Sequence, residues 1–359
     1  MGAGLYQRRS AARVTFTPAS QLYVQRRRRG APRRDLLVLL TALALLAGAV
    51  WTATHLHLTS PTHAAGVAAV SARAPQVEIP VFAVSDPNEA AQSLLAPPYS
   101  WDYRWAGSHP AVGVPAVQAK SVVLVDVDSR HVLFSRLPHA RMPLASTTKL
   151  TTAMVALDHA NPDATVIVSD TAATTVEPNV MGLSMGEELS VRELLYGLLL
   201  DSGNDAAETL AVTTMAGGRQ AFIRAMNVKA AALGLTDTHF VNPSGLDDPN
   251  QYSSAHDLAL TAAYLYQHYP VLEQVVTTKQ ETLPYSSKHK AFFPTNLDKL
   301  LWTYPGAIGF KTGLTGAAGQ VFVGGAHRGS HTLVTVEMDD PLIFTDAAGL
   351  LDYGFRREG

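Results

Sequence analysis

Cysteine is absent from the 359-residue chain, which excludes disulfides, a thiolate nucleophile and cysteine-ligated metal centres together. An exported protein can dispense with disulfides when its core is large, and a chain that is 47% hydrophobic has the material for one. The thirteen histidines include no H-E-x-x-H or comparable ligand spacing, and His55 and His57 are only an alternating pair beside an apolar segment. No metal and no cofactor are therefore expected. Acidic residues are missing before Asp35, whereas nine of the 28 basic residues, all arginine, precede it. Residues 35 to 359 carry a net charge of −11 in consequence, and nucleic acid is not an expected partner for them.

Residues 1–34 form a basic tail, expected inside the cell, with the run Arg26 to Arg29 within it. Residues 35–58 read as a transmembrane signal anchor, because nothing from Leu36 to about Thr54 is charged and ~20 apolar residues span a bilayer. Arginine before the segment and none close after it places the N-terminus inside and the rest outside. Ala47-Gly48-Ala49 has the small-x-small form of a cleavage site, so a secreted product after signal-peptide removal is the alternative; the long leader and Trp51 at the interface favour the anchor. Both readings export the remainder of the chain. Residues 59–115, interrupted by Pro61, Pro75, Pro80, Pro87, Pro97, Pro98, Pro110 and Pro115, read as a semi-extended Pro/Ala-rich linker. Within it Pro97 to Trp105 alternates aromatic and polar residues, which suggests a short strand or flap packed on the neighbouring domain.

The domain expected over residues 116–359 is organised around Leu144-Ala145-Ser146-Thr147-Thr148-Lys149-Leu150. Pro143 resists upstream extension of a helix, and Leu150, Met154 and Leu157 recur at helical spacing, so the helix is expected to begin near Ser146. Residues three apart share a helix face, which lets the Ser146 hydroxyl meet the Lys149 amine. A lysine that is desolvated, or set beside another cation, has a lowered pKa and can take the serine proton. Ser202-Gly203-Asn204 follows the apolar run Leu194 to Leu200, and Lys311-Thr312-Gly313 follows Ala307-Ile308-Gly309-Phe310.

Val122 to Val125 and Val132 to Phe134 read as a hairpin turning near Asp128, and Gly319 to Val323 and Thr332 to Val336 as a second across Arg328-Gly329-Ser330. Between them, helices are expected from Ser146, from a capping box at Ser190-Val191-Arg192-Glu193 to Leu200, through Ala206 to about Val212, from Phe222 to Leu233 and from Ser253 to Tyr266; a last one covers about Thr345 to Tyr353. Short strand or turn pieces are expected at Val166 to Val168 and Gly186 to Leu189. Strands at both ends with helices between imply an α/β fold: one antiparallel sheet built from both ends of the domain, helices on its faces, and a mainly helical insertion holding Ser202-Gly203-Asn204.

The order S-x-x-K, S-x-N, K-T-G is shared by penicillin-binding proteins and class A β-lactamases. With Asp201 to Ala207, Asn242-Pro243-Ser244-Gly245-Leu246, Tyr252 to Asp257 and Gly309 to Thr315, the chain from about Val117 to Phe355 resembles the D-alanyl-D-alanine carboxypeptidases. The resemblance implies a β-lactamase/transpeptidase-like fold and removal of the terminal D-Ala from peptidoglycan stem peptides through an acyl-enzyme, with β-lactam antibiotics as inhibitors. It implies Ser146 as nucleophile, Lys149 as base with Lys311 lowering its pKa, Ser202 as proton relay, and Asn204 holding the substrate amide or Lys149. Lys311, Thr312 and Gly313 would receive the substrate at the end of a strand, Gly313 by letting the substrate backbone approach, and the backbone N–H groups of Ser146 and Leu314 would form the oxyanion hole.

Two departures stand out. Leu314 and Gly316 occupy places where relatives often carry histidine and aspartate, and Asp346 stands where relatives can carry an arginine for the substrate carboxylate. That carboxylate would then fall to Lys311, Thr312 or Thr315, or to a further basic residue that the sequence does not place. A β-lactamase needs a glutamate closely followed by asparagine after the S-x-N element; none is present, and Asp237, Asp247 and Asp248 are poor substitutes. A D,D-endopeptidase stays open beside the carboxypeptidase. A non-enzymatic wall-binding or sensor domain should have lost one of Ser146, Lys149, Ser202 or Lys311, and all are present.

Overall fold

The computed structural model describes residues 100–109, 112–174 and 179–358, all within the unit Phe82–Gly359. The arginine tail, the segment 35–58 and the linker as far as residue 99 lie outside the described residues. Among the described residues no helix is long and apolar enough to cross a membrane.

Where a strand or flap was expected before Trp105, the chain makes one bridge and then a helix. Asp102 N donates to Arg130 O at 2.8 Å and Val132 N donates to Asp102 O at 3.1 Å. Helix α1 (Tyr103–Ser108) then starts, because the Asp102 carboxylate accepts from Arg104 N and caps it. Trp101 is buried, and Trp105 stacks on His109 and His131, so the segment packs on the domain as its aromatic content implied.

Strands β1 (Ser121–Asp126) and β2 (Val132–Arg136) form the first hairpin. A 3₁₀ turn, Ala145–Thr147, leads into α2 (Thr148–His159), within two residues of the expected start. β3 (Thr165–Ile167), the short α3 (Asp170–Ala173) and β4 (Glu188–Ser190) follow, β3 and β4 pairing as a separate ribbon. The capping box forms as read: Ser190 Oγ accepts from Glu193 N and the Glu193 carboxylate accepts from Ser190 N, opening α4 (Val191–Leu199). Then come α5 (Asn204–Thr213), α6 (Gly218–Ala232) and α7 (Ala255–His268), the last capped by Ser254. Helices α8 (Pro270–Thr277) and α9 (Leu300–Thr303) add to the sequence reading. The chain closes with β5 (Ala307–Thr315), β6 (Gly319–Arg328), β7 (His331–Met338) and α10 (Ile343–Glu358), longer at both ends than expected.

The five-stranded sheet has the order β2-β1-β7-β6-β5 and every pairing is antiparallel. The first strand of the domain lies beside the last, with Val123 opposite Val336, so both ends of the domain build one sheet. Alternation along β1 explains its unbroken apolar run. Val122 and Leu124 join Ile343, Ala347 and Leu350 of α10, whereas Val123 and Val125 join Leu150, Met154 and the helical insertion. All six residues of β1 are buried.

One register irregularity matters for chemistry. Gly309 pairs with Gly324 but Lys311 pairs with Val323, so Phe310 is the extra residue of a bulge. Ile308 and Phe310 both belong to the core on the helical side, and strict alternation would send Lys311 to the far face. A bulge re-aims the residue after it, and Lys311 acts electrostatically on Lys149. The K-T-G segment is consequently in the interior of β5 and not at its end, because pairing with β6 continues through Thr315 opposite Gly319.

Removing the capping box tests whether the insertion is stabilised locally: Ser190→Ala should cost about 1 kcal/mol of stability, read as a lower urea midpoint, with the acylation rate at Ser146 unchanged.

Candidate active site

Lys149 is the first residue to account for, since an ammonium ion has no place in an apolar interior without compensation. It is fully buried on the first turn of α2, and its Nζ lies 3.0 Å from Ser146 Oγ, 2.8 Å from Asn204 Oδ1 and 2.5 Å from the carbonyl oxygen of Ser244. Its pKa is driven well below the ordinary lysine value, first by burial and second by the Lys311 cation. The sequence reading offered desolvation or a neighbouring cation, with Lys311 named as that cation; both act, and burial is the larger cause. A neutral amine has two N–H groups and one lone pair. The Asn204 and Ser244 oxygens can only accept, so they take the two N–H groups and leave the lone pair for the Ser146 hydroxyl proton. Of the two roles open for Asn204, the structure shows it holding Lys149.

The Asn242-Pro243-Ser244-Gly245-Leu246 stretch now has a physical role. Asn242 Oδ1 accepts from Ser244 N and Gly245 N, making a turn that aims the Ser244 carbonyl at Lys149. Gly245 has φ +89, and a Cβ there would fall 1.9 Å from the Ala145 carbonyl oxygen. Gly313 has a similar constraint, since its Cβ would meet Ala145 Cβ at 2.9 Å and Ser146 N at 3.1 Å. The structure thus shows a close approach at Gly313 to the nucleophile's own backbone, and Gly313 also lines the cleft where the sequence reading expects the substrate's. Ala145 (φ 48) and Ser202 (φ 63) both occupy the left-handed region without being glycine, the kind of backbone strain that surrounding structure must impose.

Ser146, Ser202, Thr312, Gly313 and Leu314 line one cleft of about 210 Å³ together with Asn179, Leu297, Gln320, Ile343 and Phe344. Ser202 Oγ is buried and has no hydrogen-bond partner, which leaves it available to a substrate group. Ser146 and Leu314 face the same cleft, as an oxyanion hole built from their backbone N–H groups requires. Lys311 is not on the wall: it is 2% exposed and its Nζ donates to the Thr312 carbonyl at 3.0 Å. Burial brings its pKa down to about 7, against the opposing pull of Asp298 and Asp201. It supplies charge from behind Thr312, which lines the cleft.

Asp346, at the place of the expected arginine, is buried and accepts from Gln118 N; the first turn of α10 instead offers Ile343 and Phe344 to the cleft. Asp237 pairs with His139 and Arg141, Asp247 accepts from Ala317 N and Asp248 from Asn250 N, and none of the three lines the cleft. The wall residues Asn179, Leu297 and Gln320 carried no sequence signal. Asn179 arrives because its carbonyl accepts from Asn204 N, while the Asp205 carboxylate gathers the N–H groups of Met181, Gly182 and Leu183. Asp205, one residue beyond S-x-N, thus ties the cleft wall to α5. A larger cleft of about 860 Å³ among α2, α6 and α7 is lined by Lys229, Tyr264 and Tyr269 but by no serine, threonine or cysteine, so size does not mark the serine centre.

Two opposing titrations set the expected pH profile. Acylation should rise with pH as Lys149 loses its proton at a lowered pKa, and kcat/KM for a carboxylate-bearing substrate should fall again above pH about 7 as Lys311 does. A bound carboxylate favours charged Lys311, so the alkaline limb should move upward in kcat. In Lys311→Ala the alkaline limb should vanish from kcat/KM while the acid limb shifts upward; an unchanged profile would show that Lys311 does not act on either proton.

The family model of the D-alanyl-D-alanine carboxypeptidases, peptidase S11, matches residues 108–341. The D-alanyl-D-alanine carboxypeptidase DacB2 of Mycobacterium tuberculosis is 42% identical over 262 residues, 71% of this chain and 87% of its own. DacF of Bacillus subtilis is 34% identical over 226 residues, which is 62% of this chain but only 57% of that protein. The crystal structure of the Streptomyces K15 DD-transpeptidase superposes with a TM-score of 0.65 at 31% identity, covering 68% of this chain and all of that one.

Proposed function

The chain belongs to the D-alanyl-D-alanine carboxypeptidase family, peptidase S11, and from that premise we propose how this domain removes a terminal D-alanine from a peptidoglycan stem peptide. The observation that carries the reading is the buried, deprotonatable Lys149 at 3.0 Å from Ser146 Oγ. Ser146 Oγ attacks the carbonyl of the penultimate D-alanine while Lys149 takes its proton. Negative charge developing on that carbonyl oxygen is met by the Ser146 and Leu314 N–H groups. The unpartnered Ser202 hydroxyl relays the proton taken by Lys149 to the departing amine, and the C–N bond breaks to free D-alanine. Water then attacks the ester, giving a proton to Lys149 that returns to Ser146 Oγ as the shortened peptide leaves as the acid.

The terminal carboxylate of the substrate meets Thr312, with Lys311 behind it supplying the positive potential. A cleft wall of Ile343 and Phe344, where an arginine was expected, makes this hold depend on the K-T-G segment alone among the residues named for it. β-Lactams present a carboxylate and a strained amide to the same groups, and among the described residues no carboxylate side chain lines the cleft to speed deacylation. They are therefore inhibitors and not substrates in this reading. Mass spectrometry after penicillin treatment should find one adduct on the peptide holding Ser146, absent in Ser146→Ala. A D-alanine release assay on a pentapeptide ending in D-Ala-D-Ala, run beside nitrocefin turnover, separates the two enzyme classes; sustained nitrocefin hydrolysis without D-alanine would replace the carboxypeptidase by a β-lactamase.

The site is exported in this proposal, held by residues 35–58 as a single-pass anchor with the arginine tail inside. Support comes from the charge asymmetry of the sequence and from the location of stem peptides outside the cytoplasm. Full-length protein should sediment with membranes and be cleaved by protease added outside. Recovery of a soluble form beginning just after Ala49 would replace the anchor by a cleaved signal.

A further inference from the structure

Asp126 ends β1, His331 opens β7 and Glu358 ends α10, and one ligand atom from each lies within 4.8 Å of the others. None of these residues lines the catalytic cleft. Asp126 is fully buried and divides its oxygens: Oδ1 accepts from Asp128 N at 2.9 Å and from Ser129 N at 3.4 Å, while Oδ2 meets His331 Nδ1 at 2.7 Å. Across the cluster Glu358 Oε1 faces His131 Nδ1 at 3.6 Å. Both of these atoms are shut off from solvent and neither has a hydrogen-bond partner.

Two buried polar atoms that face each other just beyond hydrogen-bonding distance are costly as they stand. A separation of 3.6 Å is close to the edge of a coordination tetrahedron whose metal–N and metal–O bonds are ~2.0–2.2 Å. The donor set mixes imidazole nitrogen with carboxylate oxygen, which suits a zinc-like dication better than calcium or magnesium, whose sites use oxygen alone. Two carboxylates also balance the charge of such an ion.

We propose that Asp126, His331 and Glu358 bind a zinc-type transition-metal dication in a structural site distinct from the catalytic cleft, and that His131, outside this trio but 3.6 Å from Glu358 Oε1, turns in as the fourth donor. Asp126 Oδ1 is committed to the turn after β1 and Oδ2 to His331 Nδ1, so a bound ion would replace that hydrogen bond and displace the proton in it. His131 is fixed from its other side by the stacked Trp105 ring, on which the Arg357 guanidinium lies at 4.5 Å. The ion would clip the first strand of the domain to its last strand and last helix. Sequence spacing could not show it, because the donors are scattered from Asp126 to Glu358.

The test is calorimetric titration of untagged, chelator-treated protein with Zn²⁺, beside Co²⁺ absorption and melting curves. One equivalent should bind, Co²⁺ should give tetrahedral d–d bands, and Tm should rise with Zn²⁺ concentration. Loss of a direct donor in His331→Ala or Glu358→Gln should weaken binding by about a hundredfold or more, beyond the 10–100-fold typical of outer-shell partners. Penicillin acylation of Ser146 should be unchanged in both variants below their melting temperatures. Glu358→Gln is near-isosteric and lies at the end of α10, so it keeps the test open if His331→Ala fails to fold. Absence of stoichiometric Zn²⁺ binding, or binding that survives Glu358→Gln at full strength, would make the cluster an ion-pair network and overturn the proposal.

Discussion

A lysine side chain with no exposed surface is the constraint to which the rest of the domain is fitted. Left charged, it would cost several kcal/mol of desolvation; left neutral, it needs two acceptors for its N–H groups and something for its lone pair. Asn204 on α5 and Ser244 in the loop before α7 provide the acceptors, and Ser146 uses the lone pair. Three segments distant in sequence are therefore held by one nitrogen atom. The left-handed residues Ala145 and Ser202 and the close-packed Gly245 and Gly313 lie on or beside these segments, where backbone strain is offset by the contacts they permit.

The sheet supplies the second cation by a change of register. Without the bulge at Phe310, Lys311 would project away from Lys149, and burial alone would have to set the base. Charge placed behind the cleft wall acts through Thr312 without exposing an ammonium ion to solvent. Burial, with the Lys311 cation second to it, lowers the proton affinity of Lys149, which makes the dryness of the interior a catalytic property.

Much of this was legible from the residues. Unbroken apolar runs indicated the two hairpins, the Ser190 box marked the start of α4 to the residue, and the order of the three motifs pointed to the nucleophile and its base. What escaped were features made by tertiary contact. The Pro97 to Trp105 alternation carries the pattern of a strand, but the Asp102 carboxylate caps a helix there. Asn179, Leu297 and Gln320 reach the cleft through backbone pairing and packing, which leave no periodic trace. The partition of Lys149's lowered pKa between burial and Lys311 is likewise a three-dimensional quantity, and the spacing of motifs in the chain carries no measure of it.

The pairing of β1 with β7 has a consequence in time. Val123 lies opposite Val336, so the sheet cannot close until nearly the whole domain has been made, and Gly313 reaches Ser146 only after that closure. Non-local pairing of this kind is slow and is completed late. The surroundings of Ser146 are consequently incomplete on a nascent chain: its helix can form early, but the strand that completes them arrives last. Assembly order thus ties the finished nucleophile to the finished sheet.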